Sequence, residues 1–351
     1  MEPRRRHGVR GAGLALLAAA CFGASTPLVR VAGEAAGPWT TAGLLYSGAA
    51  LVSFFLRQHR KREAPLAWKH APTLLLAALF GAALAPAALA WGLQRTSALS
   101  ASLLLNAEAV FTILLAAVAW REHVGLRVGT AAAILALGGT ILVLGHAPGG
   151  RSDLFGMLAV LAATAGWAVD NVVSRPLADV DPGAVVLAKS LVGAVVSLAA
   201  GALSGETGLG ASGGFMLLAI GAGGYGLSMR FYLLAQRSFG TARTTAAFAT
   251  APFLGALLAV AMGDRPGLVT LAASALAAAG VLLLVTERHY HPHFHAALEH
   301  EHAHRHDAEH HAHAGEGHPP GKGSHSHVHR HEPATHAHPH GPDQHHGHPH
   351  G

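Results

Sequence analysis

Charge is scarce in this chain. Asp, Glu, Lys and Arg make up 12% of its 351 residues, against roughly 25% in an ordinary soluble domain, and that deficit points to lipid as the solvent. Cysteine is nearly absent: the one residue, Cys21, sits in an apolar stretch, which excludes an intramolecular disulfide and a Cys-based zinc site. Enzyme constellations are missing too. The sequence has no G-x-S-x-G elbow, Walker A loop, H-E-x-x-H helix or paired-carboxylate site on a soluble domain, so the chain is read as a non-enzyme. Its formal charge of +5 is no nucleic-acid footprint, because the basic residues cluster as "RRRHGVR" at the start and "RQHRKRE" at 57–63, each beside an apolar run. Membrane orientation accounts for them better.

What is present divides into two regimes. Residues Gly11 to Thr286 are dominated by Ala, Leu, Val and Gly, whereas His289 to Gly351 holds 23 of the 28 histidines. A membrane-spanning helix needs about 20 apolar residues, and on that basis ten spans are expected. They run from Gly13 to Ala32, Trp39 to Leu56, Pro72 to Leu93, Ala98 to Ala119, Gly125 to Gly145, Leu154 to Ser174, Gly183 to Leu203, Gly213 to Ala235, Gly240 to Met262 and Gly267 to Thr286. The Arg-rich start followed by an apolar run also resembles a signal peptide, with Ala18-Ala19-Ala20 as a cleavage site; nine further spans favour reading it as the first of the series.

Orientation follows from Lys and Arg. With the N-terminus inside, the inner segments hold 14 of these residues and the outer ones hold Arg30, Arg95, Arg151 and Arg265, a positive-inside bias. An even number of spans returns the C-terminus to the cytoplasm. The organisation expected is a basic cytoplasmic N-terminus over 1–12, a first five-helix unit over 13–146, a second over 153–286 and a His-rich cytoplasmic tail over 287–351.

The two units repeat each other. At an offset of 142, "QRTSALSASLLLNAEAVF" (94–111) lies over "QRSFGTARTTAAFATAPF" (236–253), Gly125 falls on Gly267 and Gly138 on Gly280; at 145, Gly11 falls on Gly156, Phe22 on Trp167 and Arg30 on Arg175. Five spans is an odd number, so the second unit enters the membrane from the opposite side. Such an inverted repeat is the mark of secondary transporters that alternate access around a site at the repeat interface. A ten-span scaffold or metal sensor without transport is the reading of a different kind.

Particular motifs resemble the EamA-type transporters of the drug/metabolite transporter superfamily over residues 11 to 288. "CFGAST" at 21–26 is similar to the family's first-span pattern, and "NAEAVFTILLAAVAWREHV" at 106–124 to its N-x-E-P-x-F pattern. "GWAVDNVVSR" at 166–175, "DPGAVVLAKSLVGA" at 181–194 and "GTARTTAAFATAPFLGALLAV" at 240–260 resemble a bacterial subgroup that also carries a His-rich C-terminal tail. One departure is Ala109, where the pattern has proline after Glu108; the second unit keeps Ala251-Pro252, so a kink is expected at Pro252 and is left open in span four. The resemblance implies a ten-helix bacterial inner-membrane carrier of small organic solutes, often an exporter, with a cavity lined by spans one, three, four, six, eight and nine.

Ionisable residues inside hydrocarbon are costly and are functional candidates by default. Glu108 falls mid-span, two positions after Asn106. Desolvation favours the protonated form of a lone carboxyl, which suits a proton-coupled cycle; a structural lock with Arg243 is the competing reading. Asp170, Asn171, Lys189, Arg230 and Arg243 lie toward the inner ends of spans six to nine, as an inner gate of ion pairs or a site for an anionic group. Pro27 and Pro252 are expected to break helices, with Ser25 and Thr26 offering hydroxyls to the same cavity.

The tail has the donors for borderline metals. Alternation at His289, His291, His293 and His295, at His300, His302, His304 and His306, and at His325, His327, His329 and His331 puts several imidazoles within reach of one Zn, Ni, Co or Cu ion. Too little apolar surface is present for a fold, and disorder without metal is expected. The tail then buffers or senses metal, responds to pH, or is a low-complexity extension. No cofactor is required for transport; the expected partners are the bilayer, a small-molecule substrate and these metal ions, with a homodimer left open. The alternative cargo is a divalent transition metal collected by the tail.

Overall fold

A long run of aliphatic residues leaves the backbone amides and carbonyls as its main polar groups, and in hydrocarbon a helix satisfies them within one segment. The computed structural model describes residues 2–56, 64–120, 124–145, 153–177, 180–206, 209–239, 241–286, 289–295, 298–304, 325–331 and 334–340. Among these, ten helices are long and apolar enough to cross a membrane: Gly11–Ala32, Pro38–Leu56, Trp68–Leu93, Ala98–Ala119, Leu126–Leu144, Leu154–Val173, Pro182–Leu203, Ala211–Gln236, Arg243–Ala261 and Leu268–Val285, numbered here as spans one to ten. The fold is the all-α, ten-span membrane architecture. The first helix extends back to Glu2, through the basic segment. Outward faces are apolar, with Phe55 78% and Leu203 90% exposed; in water that surface would drive association, and lipid is its natural solvent. Inside, fully buried Ala15, Ala18, Ala19, Ala77 and Ala78 let helices approach closely around Leu45, Leu89, Leu104, Met157 and Val160.

The internal duplication is visible as paired irregularities. Spans three and eight each loosen into π-helix, at Leu79–Leu84 and at Gly221–Leu227, and the two starts are separated by the repeat offset of 142. Spans four and nine each break: Ala98–Leu104 gives way to Ala107–Ala119, and Thr241–Phe248 to Ala251–Ala261. Span four therefore breaks without proline. At each break a polar side chain donates three residues back: Asn106 Nδ2 to the Leu103 carbonyl at 2.9 Å and Thr250 Oγ1 to the Ala247 carbonyl at 2.7 Å. Pro27 is a correction. The first helix runs through it unbroken from Glu2 to Ala32, and Ser25 Oγ donates to the Phe22 carbonyl at 2.6 Å.

Where the tail's backbone is described it is extended. β1 (His289–His295) pairs antiparallel with β4 (Ala334–His340), and β2 (Leu298–His304) with β3 (His325–His331). Two-stranded ladders of this kind are marginal in water by themselves. Residues 305–324, with His306, lie outside the described residues.

Candidate functional site

Span six brings the predicted polar residues together. Asp170 and Asn171 are consecutive near its C-terminal end, so their side chains leave the helix about 100° apart and engage different neighbours. Asp170, 5% exposed, forms an ion pair with Lys189 of span seven and accepts from Ser174 Oγ at 3.0 Å. Asn171 Nδ2 donates to Glu108 Oε1 of span four at 2.9 Å. Glu108 opens the second half of the broken span, two residues after the Asn106 turn, and also lies within electrostatic range of Asp170 and Lys189. The described partner of Glu108 is therefore Asn171, a neutral amide.

The π segment of span three completes this network from the other side. Its loosened turn leaves the Gly81 carbonyl free to accept two hydrogen bonds, from Tyr46 Oη of span two at 2.7 Å and from Trp167 Nε1 of span six at 2.9 Å. Gly81 also packs directly on the Asp170 carboxylate, which occupies the space a β-carbon would need. The unwound turn thus serves a purpose that π segments commonly have at functional sites: it offers backbone where two aromatic donors and a carboxylate converge.

Beside the polar network stands a wall of rings. Phe22 of span one meets Trp167 at 6.3 Å, Tyr225 at 5.8 Å and Phe248 at 5.5 Å between centroids; Tyr225 meets Tyr46 at 5.5 Å and Tyr232 meets Phe248 at 5.1 Å. Tyr46 and Tyr232 lie within electrostatic range of Glu108. Phe22, Tyr225, Tyr232 and Phe248 are only half-buried although they face the interior. Spans one, two, six, eight and nine contribute these rings. A half-buried aromatic surface within range of a carboxylate is what an amphipathic organic molecule can dock against.

Sequence reasoning named Glu108, Asn106, Asp170, Asn171 and Lys189, and the structure gathers them around spans four and six. Ser25 and Thr26 are buried at 2% exposure each, and Arg243 stands exposed at the start of span nine. The rings were missed. The available signal was the alignment of Phe22 with Trp167, which turned out to be a pair in contact.

Comparisons with known proteins agree with this architecture. An uncharacterized transporter of Methanothermobacter thermautotrophicus is 30% identical over 173 residues, a stretch that covers 44% of this chain and 50% of that protein; the match thus spans half of the relative's length. A solved crystal structure of a protein superposes with a TM-score of 0.55 at 21% identity, over 79% of this chain and 95% of that one, which shows the fold. The EamA-like transporter family matches residues 9–145 and, a second time, 154–286. Two consecutive copies of that unit make up the ten-span body, and the chain belongs to the EamA-like transporter family.

Proposed function

We propose that the protein is a bacterial inner-membrane secondary exporter of small organic solutes that works by alternating access, with both termini cytoplasmic and Glu108 as the group that loads and releases a proton. One observation carries this reading. A carboxylate at the break of span four has a neutral amide, Asn171, as its partner, while the adjacent carboxylate Asp170 is already matched by Lys189. The group at Glu108 is thus set to alternate between a proton and its ionised form, within electrostatic range of Tyr46 and Tyr232 in a ring cluster suited to an organic cargo. A metal cargo is less well served by the interior, since no group of three or more His, Cys, Asp or Glu gathers among the described residues.

The test is reconstitution in vesicles and a solute panel of amino acids, aromatic amines and drugs, assayed with and without a pH gradient. Efflux driven by the gradient is expected for some members of the panel, and Glu108→Gln should abolish its dependence on the gradient. If no solute moves under either condition, the carrier reading is wrong; if Glu108→Gln responds to the gradient as the native protein does, the coupling assignment is wrong. Ni, Co, Zn and Cu salts belong in the same panel, and tail-dependent metal flux would favour the metal-cargo alternative.

A further inference from the structure

The ten spans pack as two groups related by the repeat. Span one lies on spans eight and nine, and its counterpart, span six, on spans three and four; span two lies along span eight and span seven along span three. One group is therefore formed by spans one, two, eight and nine, the other by six, seven, three and four. They meet where span two packs on seven and three and where span four packs on nine and one, with five against ten at the periphery.

On the face that carries the connections between spans one and two, three and four, seven and eight, and nine and ten, four side chains tie one group to the other. Arg30 of span one donates to the carbonyls of Leu93, at 3.1 Å, and Thr96 at the end of span three. Gln94 Nε2 donates to the carbonyls of Gly33, at 3.1 Å, and Ala36, at 2.7 Å. Glu206, after span seven, accepts from the backbone amides of Trp39 at 3.2 Å and Thr40 at 2.7 Å at the start of span two. Asp264, after span nine, accepts from the Leu99 amide at 3.0 Å at the start of span four.

Each contact sets a charge or dipole on a helix end of complementary sign: a cation on terminal carbonyls, carboxylates on terminal amides. The two carboxylates are delivered by the same device. Glu206 follows Gly205 (φ 68°) and Asp264 follows Gly263 (φ 108°), left-handed positions that end a helix and turn the next residue back across it. Toward the other face, the contacts of Glu108 with Asn171, Lys189 with Asp170, and Tyr232 with Thr245 each stay inside one group; Tyr46 of span two crosses to the Gly81 carbonyl within span three, and Arg127 joins Thr286 between the peripheral spans five and ten.

We propose that Arg30, Gln94, Glu206 and Asp264 are the latch that closes this face, so that the structure is the state with this side shut, and that releasing them is the step that opens the solute site to it. The proposal rests on the alternating-access reading but is tested without moving a solute. In a Cys21→Ser background, Ser102→Cys reports on the crossing of spans four and nine, where Ser102 is fully buried against Gly255; Thr245→Cys reports on the other side. A membrane-impermeant maleimide is applied from each side in turn.

With Glu206→Ala and Asp264→Ala combined, labelling at position 102 from the latch face should rise about tenfold and labelling at 245 from the opposite face should fall in step, as expected of a shifted two-state equilibrium. The carboxylate-preserving pair Glu206→Asp and Asp264→Glu should restore much of the native pattern. Labelling that rises at both positions would mean a loosened fold, and labelling unchanged at both would mean that the contacts hold nothing shut; either overturns the latch. Reciprocal labelling in a protein that moves no solute would uphold the latch while removing the proposed transport, and efflux without reciprocity would do the opposite.

Discussion

Removing the ammonium of Lys189 would leave the Asp170 carboxylate buried with the Ser174 hydroxyl as its described support. An orphaned buried charge costs about 3–5 kcal/mol, so Lys189→Met should destabilise strongly in chemical unfolding in detergent, whereas adding Asp170→Asn should recover most of the loss. Additive effects of the two substitutions would sink the pair. Gly81→Ala tests the same site by volume: the new methyl has to displace the Asp170 carboxylate, and overpacking of this kind costs about 1–3 kcal/mol, which a thermal melt would register. At this scale the charged residues were legible, since a carboxylate or ammonium between aliphatic neighbours stands out in any sequence. The rings were not. Phe22, Tyr225 and Phe248 are chemically at home in an apolar span, and only their half-burial within one ring cluster sets them apart.

Elements carry the second lesson, because spans four and nine break within two residues of matching places with different sequences. Proline was the visible signal at Pro252, yet span four, with Ala109 where the N-x-E-P-x-F pattern has proline, breaks all the same. What the two breaks share is a side chain donating to the carbonyl three residues earlier, Asn106 to Leu103 and Thr250 to Ala247. Pro252→Ala is therefore expected to be tolerated, with efflux close to the native rate. Asn106→Ala and Thr250→Val should each cost about 1 kcal/mol for the lost bond and slow efflux, because the break is what presents Glu108 to Asn171. Efflux lost in Pro252→Ala and kept in Asn106→Ala would reverse this assignment. The π segments had no signature in composition, but their separation by the repeat offset shows that the duplication preserved a local geometry along with the aliphatic pattern.

For the whole molecule, the ten spans, the duplication and the sign of the repeat were legible, since each follows from run length and parity. The grouping of spans into two bodies was not, because it depends on which helix packs on which, and alanine-rich surfaces do not encode their neighbours. The tail is the largest feature outside that machinery, and its histidines follow span ten rather than interrupt a repeat. Deleting residues 289–351 should therefore leave efflux of an organic solute within about twofold of the native rate, as surface changes far from a site usually do. The same deletion should remove the sites for borderline divalent ions: in equilibrium dialysis with Ni or Zn, the full chain should hold several ions and the truncated chain none, given how well imidazole suits these metals. Loss of both efflux and metal binding would tie the tail to the cargo and favour a metal-transporting reading, because an organic exporter gated through its two helix groups has no need of a ligand-rich segment beyond them.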